Sequence, residues 1–214
     1  YTELAEIPIW NQKEITATHR LIVPPADLPD KPLHDAELMN MFIVVELGDH
    51  HASILDGNSF EVIKRVKTHF ALHGGPKYSP DGRFVYFASR DGWIAKFDMF
   101  SLQTVAETRA GINTRNLAVS GDGRYVLVGN YLPHSLVLLD AADLSLIKVI
   151  PVRDDKGNSS RVSAVYTAMP RKSFVVALKD ISEVWEISYN DDAEPIYPGL
   201  VHDYRLEEGI AIPG

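Results

Sequence analysis

A lone histidine, His73, stands directly before Gly74-Gly75-Pro76, and cations and a phenol recur downstream: Arg90, Arg115, Tyr131, Arg161 and Lys179. Imidazole ligates transition metals near neutral pH, and a guanidinium pairs bidentately with a carboxylate. Charge-assisted bonds of this kind contribute about 1.5–3 kcal/mol each. Together these residue types suit a ligand with a metal at its centre and acids at its rim. The Gly74-Gly75 pair carries no side chains beside the imidazole, which lets a flat ring approach the backbone. Taken singly, each of these residues reads as a solvated loop charge. The set acquires meaning only if the fold gathers it.

The elements that must do the gathering are short strands. From Met41 onward, β-branched and aromatic runs alternate with Gly, Asp, Asn and Pro. The runs repeat: KYSPDGRFVYFAS (77–89) returns as AVSGDGRYVLVGN (118–130), and three segments end at Asp56, Asp98 and Asp140, a constant spacing of 42 residues. A looser copy, SSRVSAVYTAMPRKSFVVALKDISEVWEI, follows the polar insert RDDKGNSS. A period of ~40–45 residues with four short strands per unit predicts a β-propeller, with a β-sandwich as the minority alternative. The Trp-Asp dipeptide of the commonest propellers is missing.

The spacing predicts an all-β fold of blades with four antiparallel strands each. About four units fit, either a four-bladed closure or, as we expect, about half of an eight-bladed ring. Residues 1–40, with Pro24, Pro25, Pro29 and Pro32, form an extended connector; residues 41–214 form the partial propeller. The absence of an initial Met and the unpunctuated EEGIAIPG at the other end suggest a piece of a longer protein.

In a propeller blade the Asp-Gly turns join strand 1 to strand 2, so the opposite face carries the blade-to-blade connections and the 2–3 turns. Within one residue of slip, His73, Arg115 and Arg161 then share the start of strand 1, and Arg90, Tyr131 and Lys179 share the 2–3 turn. Both sets fall on one channel mouth. A metal macrocycle with several carboxylates, a haem, satisfies all of them. The other histidines are weaker candidates. His50-His51 sits in an exposed turn, Gly-Gly-Pro denies His69 and His73 a helix for a zinc pair, and His19, His34, His134 and His202 read as structural or exposed.

Composition narrows the partners. A net charge of −8 argues against nucleic acid and anionic membrane surfaces. No apolar run approaches the ~18 residues of a membrane span. The absence of Cys excludes disulfides, thiolate metal sites and covalent c-type haem attachment within this chain. Nucleotide-binding, zinc-protease and serine-hydrolase motifs are missing, and the acids of NDDAE read as a solvated loop.

At HFALHGGPKYSPDGRFVYFASRDGWIAKFD, AGINTRNLAVSGDGR, NYLPHSLVLLD and PRKSFVVALKD the chain resembles the haem d1-binding propellers of denitrifying bacteria, over nearly its whole length. The resemblance implies haem d1 or dihydro-haem d1 as ligand, with His73 as the proximal iron ligand. It implies that Arg90, Arg115 and Tyr131 hold the carboxylates. Within the family, LHGGPKYSPDGR and PRKSFVVALKD are closer to the branch that dehydrogenates dihydro-haem d1, taking a propionate to an acrylate, than to nitrite reductases. Nitrite reduction and non-catalytic haem d1 carriage are the alternatives. A c-type haem that accepts the electrons would belong to a domain absent here, since no C-x-x-C-H is present. The family further implies a periplasmic setting, a c-type cytochrome domain or redox partner, and a homodimer or a complex with nitrite reductase.

Overall fold

The turn signals fall where the chain reverses. The structure, a computed structural model, describes residues 9–190 and residue 192. In chain order these form α1 (Gln12–Thr18), β1 (Arg20–Leu21), β2 (Met41–Glu46), β3 (His51–Asp56), β4 (Val62–Lys67), β5 (Lys77–Tyr78), β6 (Phe84–Ala88), β7 (Trp93–Asp98) and β8 (Gln103–Arg109). There follow β9 (Asn113–Val119), β10 (Tyr125–Leu132), β11 (Ser135–Asp140), β12 (Leu146–Pro151), β13 (Val162–Ala168), β14 (Ser173–Leu178) and β15 (Val184–Ser188). The recurring aspartates Asp56, Asp98 and Asp140 close β3, β7 and β11, the third strand of successive blades.

The two Asp-Gly turns are copies in three dimensions. Gly82 and Gly123 both take φ of +74°, a left-handed conformation that glycine adopts without a Cβ penalty. Ser79 and Ser120 donate their hydroxyls to Asp81 and Asp122, at 2.5 and 2.6 Å, and those carboxylates accept the amides of Arg83 and Arg124, each at 3.1 Å. Each turn is thus closed by its own side chains.

Four antiparallel sheets result: β2-β3-β4, β5-β6-β7-β8 with β1 added beyond β8, β9-β10-β11-β12, and β13-β14-β15. Apolar cores lie between consecutive sheets. Ile54, Val85 and Phe97 join the first pair, Tyr86, Leu117 and Val137 the second, and Leu127, Val165 and Phe174 the third. This side-by-side stacking of blades is the expected propeller arrangement. The expected four strands per blade hold for the middle two sheets. The first and last show three among the described residues.

Among the described residues the first blade shows no inner strand, and the chain before it runs elsewhere. Residues 9–40 follow the outer edge of the second blade, where Ile22 donates its amide to Val105 and Leu33 to Phe100, at 2.9 and 2.8 Å. Arg83 ties this segment down by donating to the Pro29 carbonyl at 2.8 Å and to the buried Asp98 at 2.9 Å. Prolines 24, 25, 29 and 32 leave room for a helix only upstream, where Asn11 and Glu14 form a capping box on α1 and Ile15 is buried.

Candidate functional site

His73 lies in the irregular segment between β4 and β5. Its amide donates to the Ala88 carbonyl at 2.7 Å, which fastens it to the end of β6. Its Nδ1 lies 2.8 Å from the carbonyl oxygen of Arg115 on β9. A carbonyl only accepts, so Nδ1 carries the proton and Nε2 the lone pair. That is the tautomer a metal requires at Nε2. The Arg115 guanidinium lies against the same ring, with Nη1 in contact with Nε2 and 3.0 Å from Nδ1. Only the Nε2 contact joins a donor to an acceptor.

Tyr131, at the end of β10, collects the remaining cations. The Arg115 and Arg161 guanidinium carbons stand 5.9 and 5.4 Å from its ring centroid, and Lys179 Nζ 5.4 Å. Lys179 also donates to the Tyr131 hydroxyl at 3.3 Å. Arg90 joins the group through its backbone, its amide donating to Ala71 and its carbonyl accepting from Thr114, at 3.0 and 3.1 Å. The Arg90 guanidinium is exposed and makes no side-chain hydrogen bond among the described residues. His73, Arg115, Tyr131, Arg161 and Lys179 therefore form one continuous line across the second, third and fourth blades.

The cations are not equivalent. Arg161 is already paired: its Nε and Nη2 donate to Asp180 at 2.9 and 2.5 Å, and Asp180 also accepts the Arg161 amide. Hydrogen bonds from Arg161 hold the Asp180 carboxyl well below the usual carboxylate range, and the same pairing raises the arginine. Arg161 lies just before β13, and sequence reasoning missed Asp180, which follows Lys179 in the turn.

The two glycines of the pair face different surroundings. The φ of Gly74 is +84°, and a Cβ there would meet the Asn116 Cβ at 2.7 Å, so that space is filled by the next blade. Gly75, at φ +69°, faces nothing within 4 Å. Gly75 is therefore the residue that leaves room beside His73. Asn116 itself is buried and bridges to β13, accepting from the Val165 amide at 3.0 Å.

A cleft of about 260 Å³ opens beside His73, Gly74 and Gly75, with Val45, Leu47, Leu72 and Phe87 as its apolar wall. Whole small-molecule sites run to ~300–1,000 Å³, so these residues supply one side of a larger site. The donor set suits a flat iron tetrapyrrole with acidic arms: one neutral imidazole nitrogen, an apolar wall and a file of cations. The described residues hold no cluster of three or more His, Cys, Asp or Glu able to bind a free metal ion. His51 instead serves the 47–50 turn, His50 accepts the Ala71 amide, His34 and His19 contact the Met99 and Asp143 carbonyls, and His134 contacts Ser159. His202 and most of NDDAE lie outside the described residues.

Comparison with known proteins shows what the chain is similar to. Residues 36–202 match the cytochrome D1 heme domain. The dihydro-heme d1 dehydrogenase of Pseudomonas aeruginosa is 60% identical over 191 residues, covering 89% of this chain and 38% of that protein. A solved structure of dihydro-heme d1 dehydrogenase NirN in complex with DHE superposes with a TM-score of 0.86 at 60% identity, covering 89% of this chain and 41% of that one. The β-propeller domain of Myceliophteria thermophila Swd1, 16% identical, matches with a TM-score of 0.55 over 70% of this chain and 51% of that one, a likeness of fold alone. The chain spans about two fifths of the length of the dehydrogenases it matches.

Proposed function

The chain belongs to the cytochrome D1 heme domain family, and from that premise we propose that it forms the His73 side of an oxidoreductase that converts dihydro-haem d1 to haem d1. The observation that carries the reading is the hydrogen bond from His73 Nδ1 to the Arg115 carbonyl. It puts a proton on Nδ1 and so leaves Nε2 as the acceptor, the atom against which Arg115 Nη1 lies.

The substrate's saturated propionate loses two hydrogens as two protons and two electrons, giving the acrylate double bond. The bound macrocycle itself supplies the electronic conjugation for this step. A c-type haem outside this chain is the acceptor, taking one electron at a time. His73 would hold the iron, with Val45, Leu47, Leu72 and Phe87 as the apolar wall beside the ring. Arg115, Arg90 and Lys179 would neutralise its acid arms, and the Tyr131 hydroxyl would donate to them. Orientation of this kind contributes to rate because it removes the entropy of alignment before reaction. The reading carries with it a periplasmic setting and a c-type cytochrome domain or redox partner.

Titration with dihydro-haem d1 tests it. The wild-type chain is expected to shift the Soret region, and His73→Ala to lose that ligation band. Identical spectra for the two proteins would remove His73 from the iron.

A further inference from the structure

The segment Thr68–Gly75 belongs to no sheet, yet it carries the one imidazole the proposed ligation depends on. Its downstream half is fastened by backbone bonds: Arg90 donates to Ala71, Leu72 bridges Ser89, and His73 donates to Ala88. Its upstream half is held chiefly by side chains, and His69 is central to them. The His69 ring stacks on Trp93 at 4.5 Å with an interplanar angle of 5°. Its Nε2 lies 2.8 Å from Glu107 Oε1, so Nε2–H donates to the carboxylate. Arg20 caps the assembly, its guanidinium carbon 5.3 Å from the Trp93 ring, and Arg20 pairs in register with Glu107. His50 gives a second hold, tilted against Phe70 at 5.2 Å and accepting the Ala71 amide at 3.3 Å.

Between the two sets of anchors Ala71 sits at φ +36°. A non-glycine residue in the left-handed region is strained and persists only where its neighbours over-determine it. The upstream clamp and the downstream backbone bonds together impose that conformation. Releasing the clamp allows Ala71 to relax, which turns Leu72 and His73 relative to the cleft.

We propose that His69, clamped between Trp93 and Glu107, is a positioning residue that sets the direction in which His73 presents Nε2 to the iron. The inference rests on the proposed haem ligation and extends it. Because Arg20 completes the clamp, the segment along the outer edge of the second blade takes part in setting the axial ligand.

The test is electron paramagnetic resonance of the chain loaded with ferric dihydro-haem d1. Wild type is expected to give a single histidine-ligated species. His69→Leu is expected to retain the macrocycle within about threefold affinity, as the carboxylate anchors are untouched, but to show shifted or heterogeneous g values. Glu107→Gln, which keeps an acceptor but removes the charge from the bond, is expected to shift them in the same direction by less, and it carries the test if His69→Leu does not fold. Wild-type spectra in both variants would overturn the inference. His73→Ala separates the two readings: if its spectrum changes while those of His69→Leu and Glu107→Gln do not, the clamp fails and the ligation stands. If His73→Ala also matches wild type, the ligation itself fails.

Discussion

Arg115, near the start of β9, and Arg161, just before β13, belong to neighbouring blades, yet of the two only Arg115 has a guanidinium without a carboxylate partner among the described residues. An arginine already engaged by Asp180 gains little from a second acid, whereas Arg115 exchanges a neutral imidazole for a carboxylate. Loss of one charge-assisted bond at ~1.5–3 kcal/mol predicts that Arg115→Ala weakens dihydro-haem d1 binding by about 10–100-fold. Arg161→Ala should cost less than about threefold, by the small worth of exposed pairs. Equal losses in a titration of the two variants would contradict this ranking. Lys96 raises a separate question. It is buried on β7, at a third-strand position where the repeat has Ile54 and Leu138. Its ammonium donates to the Ala142 carbonyl at 2.8 Å and lies 3.8 Å from the Phe84 ring centroid. Burial pushes it down from 10.5 to about 8, against the pull of Asp98, Asp140 and Asp143. Between those two values the unfolded chain binds the extra proton, so stability rises with pH through that window and the charging penalty is felt below it. The melting-temperature advantage of Lys96→Leu over wild type should therefore be greatest near pH 7. It should narrow toward pH 10, by about 2–4 °C per kcal/mol relieved. A difference that does not vary with pH would mean that burial does not lower the Lys96 ammonium from its ordinary range.

At the scale of elements, the Asp-Gly hairpins were legible because each is closed by residues within a few positions of one another. The segment before β5 was not, because its partners come from β6, β9 and the 47–50 turn. Gly74 and Gly75 show the consequence. Both adopt left-handed φ, so alanine at either carries backbone strain of order 1 kcal/mol or more. Only Gly74 also faces Asn116 across 2.7 Å. Gly74→Ala should thus lower the urea midpoint clearly more than Gly75→Ala. Gly75→Ala, which reaches into the open cleft, should instead weaken macrocycle binding more than it lowers stability. Reversal of the two orders would return Gly74 to the role first inferred from its position beside His73.

For the molecule as a whole, the cores between blades make each sheet depend on its neighbour, and the two ends are left with exposed edges. The inner edge of β2 and the outer edge of β15 have no strand paired to them among the described residues. Unpaired edges of this kind template association. The 214-residue chain by itself is expected to self-associate reversibly, and a longer chain carrying complementary strands to stay monomeric at these edges. Light scattering on serial dilution measures this directly; a strictly monomeric fragment would show that the edges are protected.

What the sequence determined by itself was the periodic part. The 42-residue spacing, the strand alternation, the turns and the resemblance to haem d1 propellers all follow from short-range patterns that any copy of the repeat must satisfy. It also led to the expectation that His73, Arg115 and Tyr131 lie near one another, since equal positions in successive blades face the same way. Only the tertiary structure decided what each side chain does there: the proton on His73 Nδ1 from the Arg115 carbonyl, the Asp180 partner of Arg161, the filling of Gly74's space by Asn116, and the clamp on His69. Those contacts cross from blade to blade or from the edge segment. Their partners are set by how sheets stack and loops fold over them, and no local periodicity encodes that packing.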